Sequence, residues 1–258
     1  MPPSSQLTIP VADTQIHAVD TPGGSPALLF LSGGFGTVRN WDRVLERLGG
    51  RYRTVCFDAR ARGKSGRSAD YSLQGAVDDV NAVSAAAGLE RPIVVGWSQG
   101  ATIAVRYAAQ HPDRVGGLVL VDGAYPVAMF DEAGREKVRA QFRRLGWIMR
   151  ILAAFGRSAR MAPAEAAQVV IEMDAVNGKL GPDLAALQIP TVYVVGTGAH
   201  SGATEEEMRT VRSYAAKAVA SNQRITVFAT APVNHVQILS RAPETVVAAI
   251  HEVVSGYS

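Results

Sequence analysis

The sequence predicts an α/β protein built on a parallel sheet, with helices on both faces and one helical insertion. Three observations predict it. Short, nearly continuous apolar runs alternate with helix-length amphipathic runs over the first 120 residues or so, the pattern of βαβ units whose strands are buried on both faces. That pattern breaks near Tyr125 and resumes near Thr191, with only helical periodicity between. Finally, 47% of the 258 residues are hydrophobic and 19% are charged, enough to bury a sizeable core.

Each element has its own signal. Residues 7–11 and 15–19 read as paired strands across the turn Ala12-Asp13-Thr14. Residues 27–31 form a wholly apolar strand that runs into Ser32-Gly33-Gly34. Residues 40–48 are helical by spacing, with Trp41, Val44, Leu45 and Leu48 on one face. A strand at 53–57 ends at Asp58, and a helix at 73–87 stops at Gly88. A strand at 92–96 precedes a helix at 101–110, which stops before Pro112, and a strand at 118–121 ends at Asp122. After the insertion come a strand at 191–195, a helix at 205–220, a strand at 224–228 and a closing helix at 243–254. That last helix opens on Pro243, where a missing N–H costs little. Residues 1–124 and 187–258 therefore read as one core, and 125–186 as a helical cap.

Composition excludes several classes. No apolar run approaches the roughly 18 residues of a membrane span. One cysteine, Cys56, allows no intramolecular disulfide and makes a cysteine-built zinc site unattractive. The formal charge of +3 is a mild excess, without the dense basic stripe of a nucleic-acid binder. The N-terminal residues lack a basic segment followed by an apolar one, so a cytoplasmic location is expected. The basic excess is uneven: eight Lys and Arg against three acids lie between Asp131 and Arg160. A solvated helix face is the ordinary explanation; docking of an acidic carrier protein is the alternative.

The chemistry centres on Gly96-Trp97-Ser98-Gln99-Gly100, between a strand and a helix. In that context G-x-S-x-G holds its serine in a tight, strained turn as a nucleophile, and the helix aims N–H groups and its positive end at the site. Of the five histidines, His235 follows the last strand, as the order serine, acid, histidine requires. His200, after the strand at 191–195, is the rival. Asp122 is the candidate orienting carboxylate, because it stands at the carboxyl end of a parallel strand, where sites in open α/β sheets assemble. After the strand at 191–195 the chain reads Gly196-Thr197-Gly198-Ala199-His200, with no acid until Glu205. Glu205, Glu206 or water is the fallback should Asp122 prove dispensable. The amide of Gln99, with that of Gly34 or Phe35, supplies an oxyanion hole. Trp97, Phe142 and Trp147 are candidate substrate contacts, as pockets of this kind are mostly apolar.

Two other motifs mislead. Gly63-Lys64-Ser65 lacks the earlier glycine of a phosphate-binding loop, and Gly33-Gly34-Phe35-Gly36 lacks dinucleotide-fingerprint spacing. No cofactor or metal ligand set is predicted.

With these residues in view, the chain resembles the α/β-hydrolase superfamily. Leu28-Leu29-Phe30-Leu31-Ser32-Gly33-Gly34 is similar to its oxyanion strand and loop, and Asp58 to Ser65 to its aspartate-arginine-glycine-serine loop. Gly96 to Gly100 is similar to its nucleophile turn, and His111-Pro112-Asp113-Arg114-Val115 to its connection into the strand ending at Asp122. The resemblance implies a mostly parallel, roughly eight-stranded sheet with a helical cap over the site. It implies acyl transfer to water, with an ester, thioester or lactone of a small apolar substrate cleaved through an acyl-enzyme on Ser98, since relatives that open epoxides or remove halogens use aspartate at the turn. Ser32 stands where the family usually has a histidine bracing the oxyanion loop, so a weaker brace is expected. The acid sits one strand earlier than in most of the family. Other outcomes on the same scaffold are non-hydrolytic chemistry on a natural-product intermediate and ligand binding without turnover.

Overall fold

The structure is a computed structural model, and it describes residues 3–154, 159–198 and 205–257. Eight strands form one sheet: β1 (Ser5–Val11), β2 (Thr14–Thr21), β3 (Gly24–Leu31), β4 (Tyr52–Phe57), β5 (Ile93–Trp97), β6 (Gly117–Val121), β7 (Thr191–Gly196) and β8 (Ile225–Ala231). Their order is β1-β2-β4-β3-β5-β6-β7-β8. β2 runs antiparallel to both neighbours, and all pairings from β4 to β8 are parallel.

Helices α1 (Asp42–Leu48), α2 (Leu73–Ala86), α3 (Gln99–Gln110), α4 (Glu132–Ala154), α5 (Pro163–Asn177), α6 (Gly181–Ala186), α7 (Glu205–Ser221), α8 (Ile238–Arg241) and α9 (Pro243–Ser255), with short 3₁₀ helices at Val38–Trp41 and Pro112–Arg114, complete the described elements. Strand side chains alternate between two cores, as a pleat with period two demands. Leu29 and Leu31 join α2, α3, α6 and α7 on one face. Leu28 and Phe30 join Trp41, Val44 and the apolar side of α9 on the other.

Where the element limits differ from those read in the sequence, the cause is local. α3 begins at Gln99, two residues early, because the turn at Ser98 leads straight into it. β8 extends to Ala231 as an edge strand with Val227 and Phe228 exposed; hydrophobic alternation is a weak guide where one edge faces water. The four-residue α8 is too short to show a period.

The insertion contains α4, α5 and α6 and no strand among its described residues. Polar contacts hold it together and tie it to the rest of the core. Asp174 accepts from the amides of Met129 and Phe130, and Thr102 donates to Asn177. Arg160 donates to the carbonyls of Gly63 and Ser65. A small third core of Ala61, Met161, Ala166 and Val169 packs with Phe35, Tyr71 and Phe142.

Candidate active site

Register brings the site together before any side chain is considered. Trp97 pairs with Val121, and Val121 with Val194. The next residues, Ser98 and Asp122, therefore lie side by side at the carboxyl edge of the sheet. Their amides continue the ladder: Ser98 N–H donates to the Val121 carbonyl at 3.0 Å and Asp122 N–H to that of Val194 at 2.8 Å. Both then leave the sheet in the left-handed region, with φ of 56° at Ser98 and 46° at Asp122. Such conformations are costly for non-glycine residues, and they persist where the surroundings over-determine them.

The glycines of the turn are required by space. A Cβ on Gly96 would lie 2.4 Å from the Gly100 carbonyl oxygen, and one on Gly100 would lie 2.2 Å from that of Leu31. Only bare backbone lets helix α3 start this close to β3 and β5.

The three polar side chains form one chain of hydrogen bonds. Ser98 Oγ lies 2.8 Å from His235 Nε2, and His235 Nδ1 lies 2.9 Å from Asp122 Oδ2. Asp122 is 4% exposed. Its other oxygen accepts from the Tyr125 hydroxyl at 2.9 Å and from the Gly196 amide at 3.1 Å. Burying a polar group is costly unless it is hydrogen-bonded, and these donors meet that need. The carbonyl of His235 accepts from the Trp97 indole at 3.2 Å, and the two rings stand 5.7 Å apart. His200 lies outside the described residues, as do the side chains of Glu205 and Glu206.

The loop after β3 is a turn closed by Gly36 N–H donating to the Gly33 carbonyl at 2.9 Å. Among the described residues the amides of Gly34, Phe35 and Gln99 donate to no protein acceptor. Ser32, the residue in place of the family's histidine, does brace the loop. Ser32 Oγ accepts from the Trp41 indole at 3.0 Å and donates to the Thr37 carbonyl at 3.0 Å, so it ties both ends of the loop.

A second brace was not foreseen. Arg62 donates through Nε and Nη2 to the Gly34 carbonyl and through Nη1 to that of Arg60. It is 5% exposed and has no carboxylate within 4 Å among the described residues. Burial pushes its pKa down to about 10, so it remains charged at neutral pH. A trans peptide points C=O and N–H in opposite directions, so gripping the Gly34 carbonyl turns the Phe35 N–H away from Arg62. The sequence signal was an arginine beside Gly63 in the 58–65 loop, but its target lies 28 positions away.

A cavity of about 600 Å³ opens over Ser98. Gly34, Phe35, Trp97 and His235 line it, together with Arg39, Asn40 and Val236. Trp97 is thus brought to the site. Phe142 packs on Phe35 at 5.6 Å between ring centres without lining the cavity. Trp147 is not brought in: it is 64% exposed on α4. Helix α4 turns its apolar residues partly outward, and helical spacing alone cannot say which way a helix faces. On the same helix, Arg135, Arg139 and Arg143 pair with Glu132 and Glu136. Cys56 is buried in β4, where burial pushes its thiol pKa up. Among the described residues there is no cluster of metal-ligating side chains and no helix long and apolar enough to cross a membrane.

A sheet of this topology, with a strained serine after β5, a histidine after β8 and a carboxylate after β6, defines an α/β-hydrolase scaffold. The model of the alpha/beta hydrolase fold family matches residues 26–169, and the chain belongs to that family. It is 33% identical over 138 residues to a fluoroacetate dehalogenase from a Burkholderia species, a match covering 51% of this chain and 45% of the relative. It is 37% identical over 108 residues to the N-formylmaleamate deformylase of Pseudomonas putida, covering 41% of this chain and 40% of that one. The matched segments thus span less than half of either relative. Among solved structures it is similar to the enol-lactonase of Burkholderia xenovorans LB400, with a TM-score of 0.72 and 18% identity, covering 95% of this chain and 100% of the other.

Proposed function

We propose that this chain is a serine hydrolase that cleaves a carboxylic ester or a related acyl bond, such as a thioester or lactone, through an acyl-enzyme on Ser98. The observation that carries this reading is the unbroken hydrogen-bonded chain from Ser98 Oγ through His235 to Asp122. In acylation, Ser98 Oγ bonds to the substrate carbonyl carbon while its proton passes to His235 Nε2. The oxyanion is held by the amides of Gln99 and of Gly34 or Phe35. The carbon–heteroatom bond then breaks, and His235 gives its proton to the leaving alcohol or thiol. Water repeats the sequence and frees Ser98. Asp122 holds the imidazole in the tautomer whose Nε2 accepts, and it stabilises the imidazolium.

A serine at the turn, rather than an aspartate, favours acyl chemistry over carbon–halogen cleavage. The deformylase and lactonase names among similar proteins agree with hydrolysis at an acyl carbon. Residues 125–186 act in this reading as a cap beside the site, with residues 1–124 and 187–258 as the catalytic core.

The test is release of p-nitrophenol from short-chain p-nitrophenyl esters. Ser98→Ala should lower kcat by a factor on the order of 10⁵ to 10⁶. Equal turnover by the wild type and this variant would refute the assignment.

A further inference from the structure

We infer that the acyl substrate carries a negative charge, and that Arg39 is the residue that pairs with it. This rests on the reading of Ser98 as nucleophile and adds the substrate class.

The cavity over Ser98 has an uneven lining. Its walls are backbone glycine, aromatic and aliphatic side chains, Thr37 and Asn40, with His235 as the base. Among the described residues that line it, Arg39 is the one permanently charged side chain and none is a carboxylate. Among the described residues Arg39 has no ion-pair partner within 4 Å. Asp42, three positions on, is the carboxylate that feels its charge. A guanidinium at the mouth of a cavity, not consumed by a protein acid, is available for a carboxylate or similar anion.

Two further features favour an anion. Arg39 stands on a rigid mount. Val38 N–H donates to Asp58 Oδ1 at 2.9 Å, Thr37 N–H to Asn40 Oδ1 at 2.8 Å, and Asn40 N–H to the Thr37 carbonyl at 3.0 Å. The backbone on either side of Arg39 is thereby fixed before a ligand arrives, which lowers the ordering cost of binding. Arg62, buried behind Gly34 without a carboxylate partner, adds a second positive charge beneath the same loop. Charges of one sign around a low-dielectric cleft concentrate ligands of the opposite sign. Phe35, Trp97 and Val236 give the same cavity apolar surface for the body of a substrate. The substrate class is therefore a small acyl compound with a carboxylate at the far end of its acyl chain.

The experiment compares two p-nitrophenyl esters, the neutral butyrate and the anionic hemisuccinate, and reads the ratio of their kcat/KM values. The wild type should favour the hemisuccinate by about tenfold or more, the scale of one charge-assisted contact. Arg39→Gln should bring that ratio down toward one, Arg39→Lys should keep part of it, and Arg39→Glu should favour the butyrate. A wild-type ratio near one, or a ratio unchanged in Arg39→Gln, overturns the inference. Labelling by a neutral organophosphonate separates the two claims. Label on Ser98 with no charge preference sinks only the role of Arg39. No label on Ser98 in folded protein sinks the hydrolase reading beneath it.

Discussion

The carboxyl edge of the sheet and the exposed face of helix α4 differ in how their side chains are held. At the sheet edge, register and ladder hydrogen bonds fix Ser98 and Asp122, and the Trp97 indole holds the backbone of His235. On α4, Leu145, Trp147, Ile148, Ile151 and Leu152 stand partly in water. Functional geometry thus sits on the rigid element, while the insertion is held by α6 in the main core, by Thr102 on Asn177 and by the contacts around Phe142 and Arg160. Substitutions at the edge should cost activity steeply, whereas those on the outer face of α4 should cost little of anything.

The largest effect within this comparison is expected at Asp122. Asp122→Asn keeps the shape but loses the charge and the preference for one imidazole tautomer, so kcat should fall about 10⁴-fold with little change in melting temperature. Near-normal activity in ester hydrolysis would move the orienting role elsewhere, for example to Glu205 or Glu206. Arg62→Met comes next. It releases the Gly34 carbonyl, and kcat should fall roughly tenfold to a hundredfold, below the usual cost of deleting an oxyanion donor outright. KM should stay nearly constant, and Arg62→Lys should restore part of kcat. A loss confined to thermal stability would reduce Arg62 to a packing residue.

Ser32→Ala leaves the Trp41 indole without its acceptor. Stability should drop by about 1–3 kcal/mol in urea titrations. An unchanged midpoint would mean that water replaces the hydroxyl. The smallest effects separate the two aromatics of α4. Phe142→Ala should cost about 1–2 kcal/mol because the ring is packed on Phe35. Trp147→Ala should stay within about 0.5 kcal/mol, as exposed positions do. A large loss at Trp147 would show that α4 is covered in solution.

Most of the sheet edge was legible in the sequence, because its signals are local. Ser98 announces itself through two glycines and a strand-to-helix switch. Asp122 followed from its place at the carboxyl end of a parallel strand, strengthened by the lack of an acid after β7, and the structure shows how the end of β7 accommodates it. A Cβ on Gly196 would lie 2.9 Å from Asp122 Oδ2, and the Gly196 amide donates to the same carboxylate. The glycine makes room for the acid of the neighbouring strand. What stayed hidden depends on distant partners. The reach of Arg62 to Gly34, the double bond of Ser32 and the place of Arg39 in the cavity leave no periodic trace. Trp147 misled for a related reason: apolar residues at helical spacing identify a helix without saying which side it buries.

Peptide mass mapping after exposure to a fluorophosphonate puts the whole arrangement to its plainest test. One phosphonyl group per chain on Ser98, added far more slowly when His235 is changed to Asn, is the predicted result. Folded protein that takes up no label, or carries it on another residue, would contradict the account.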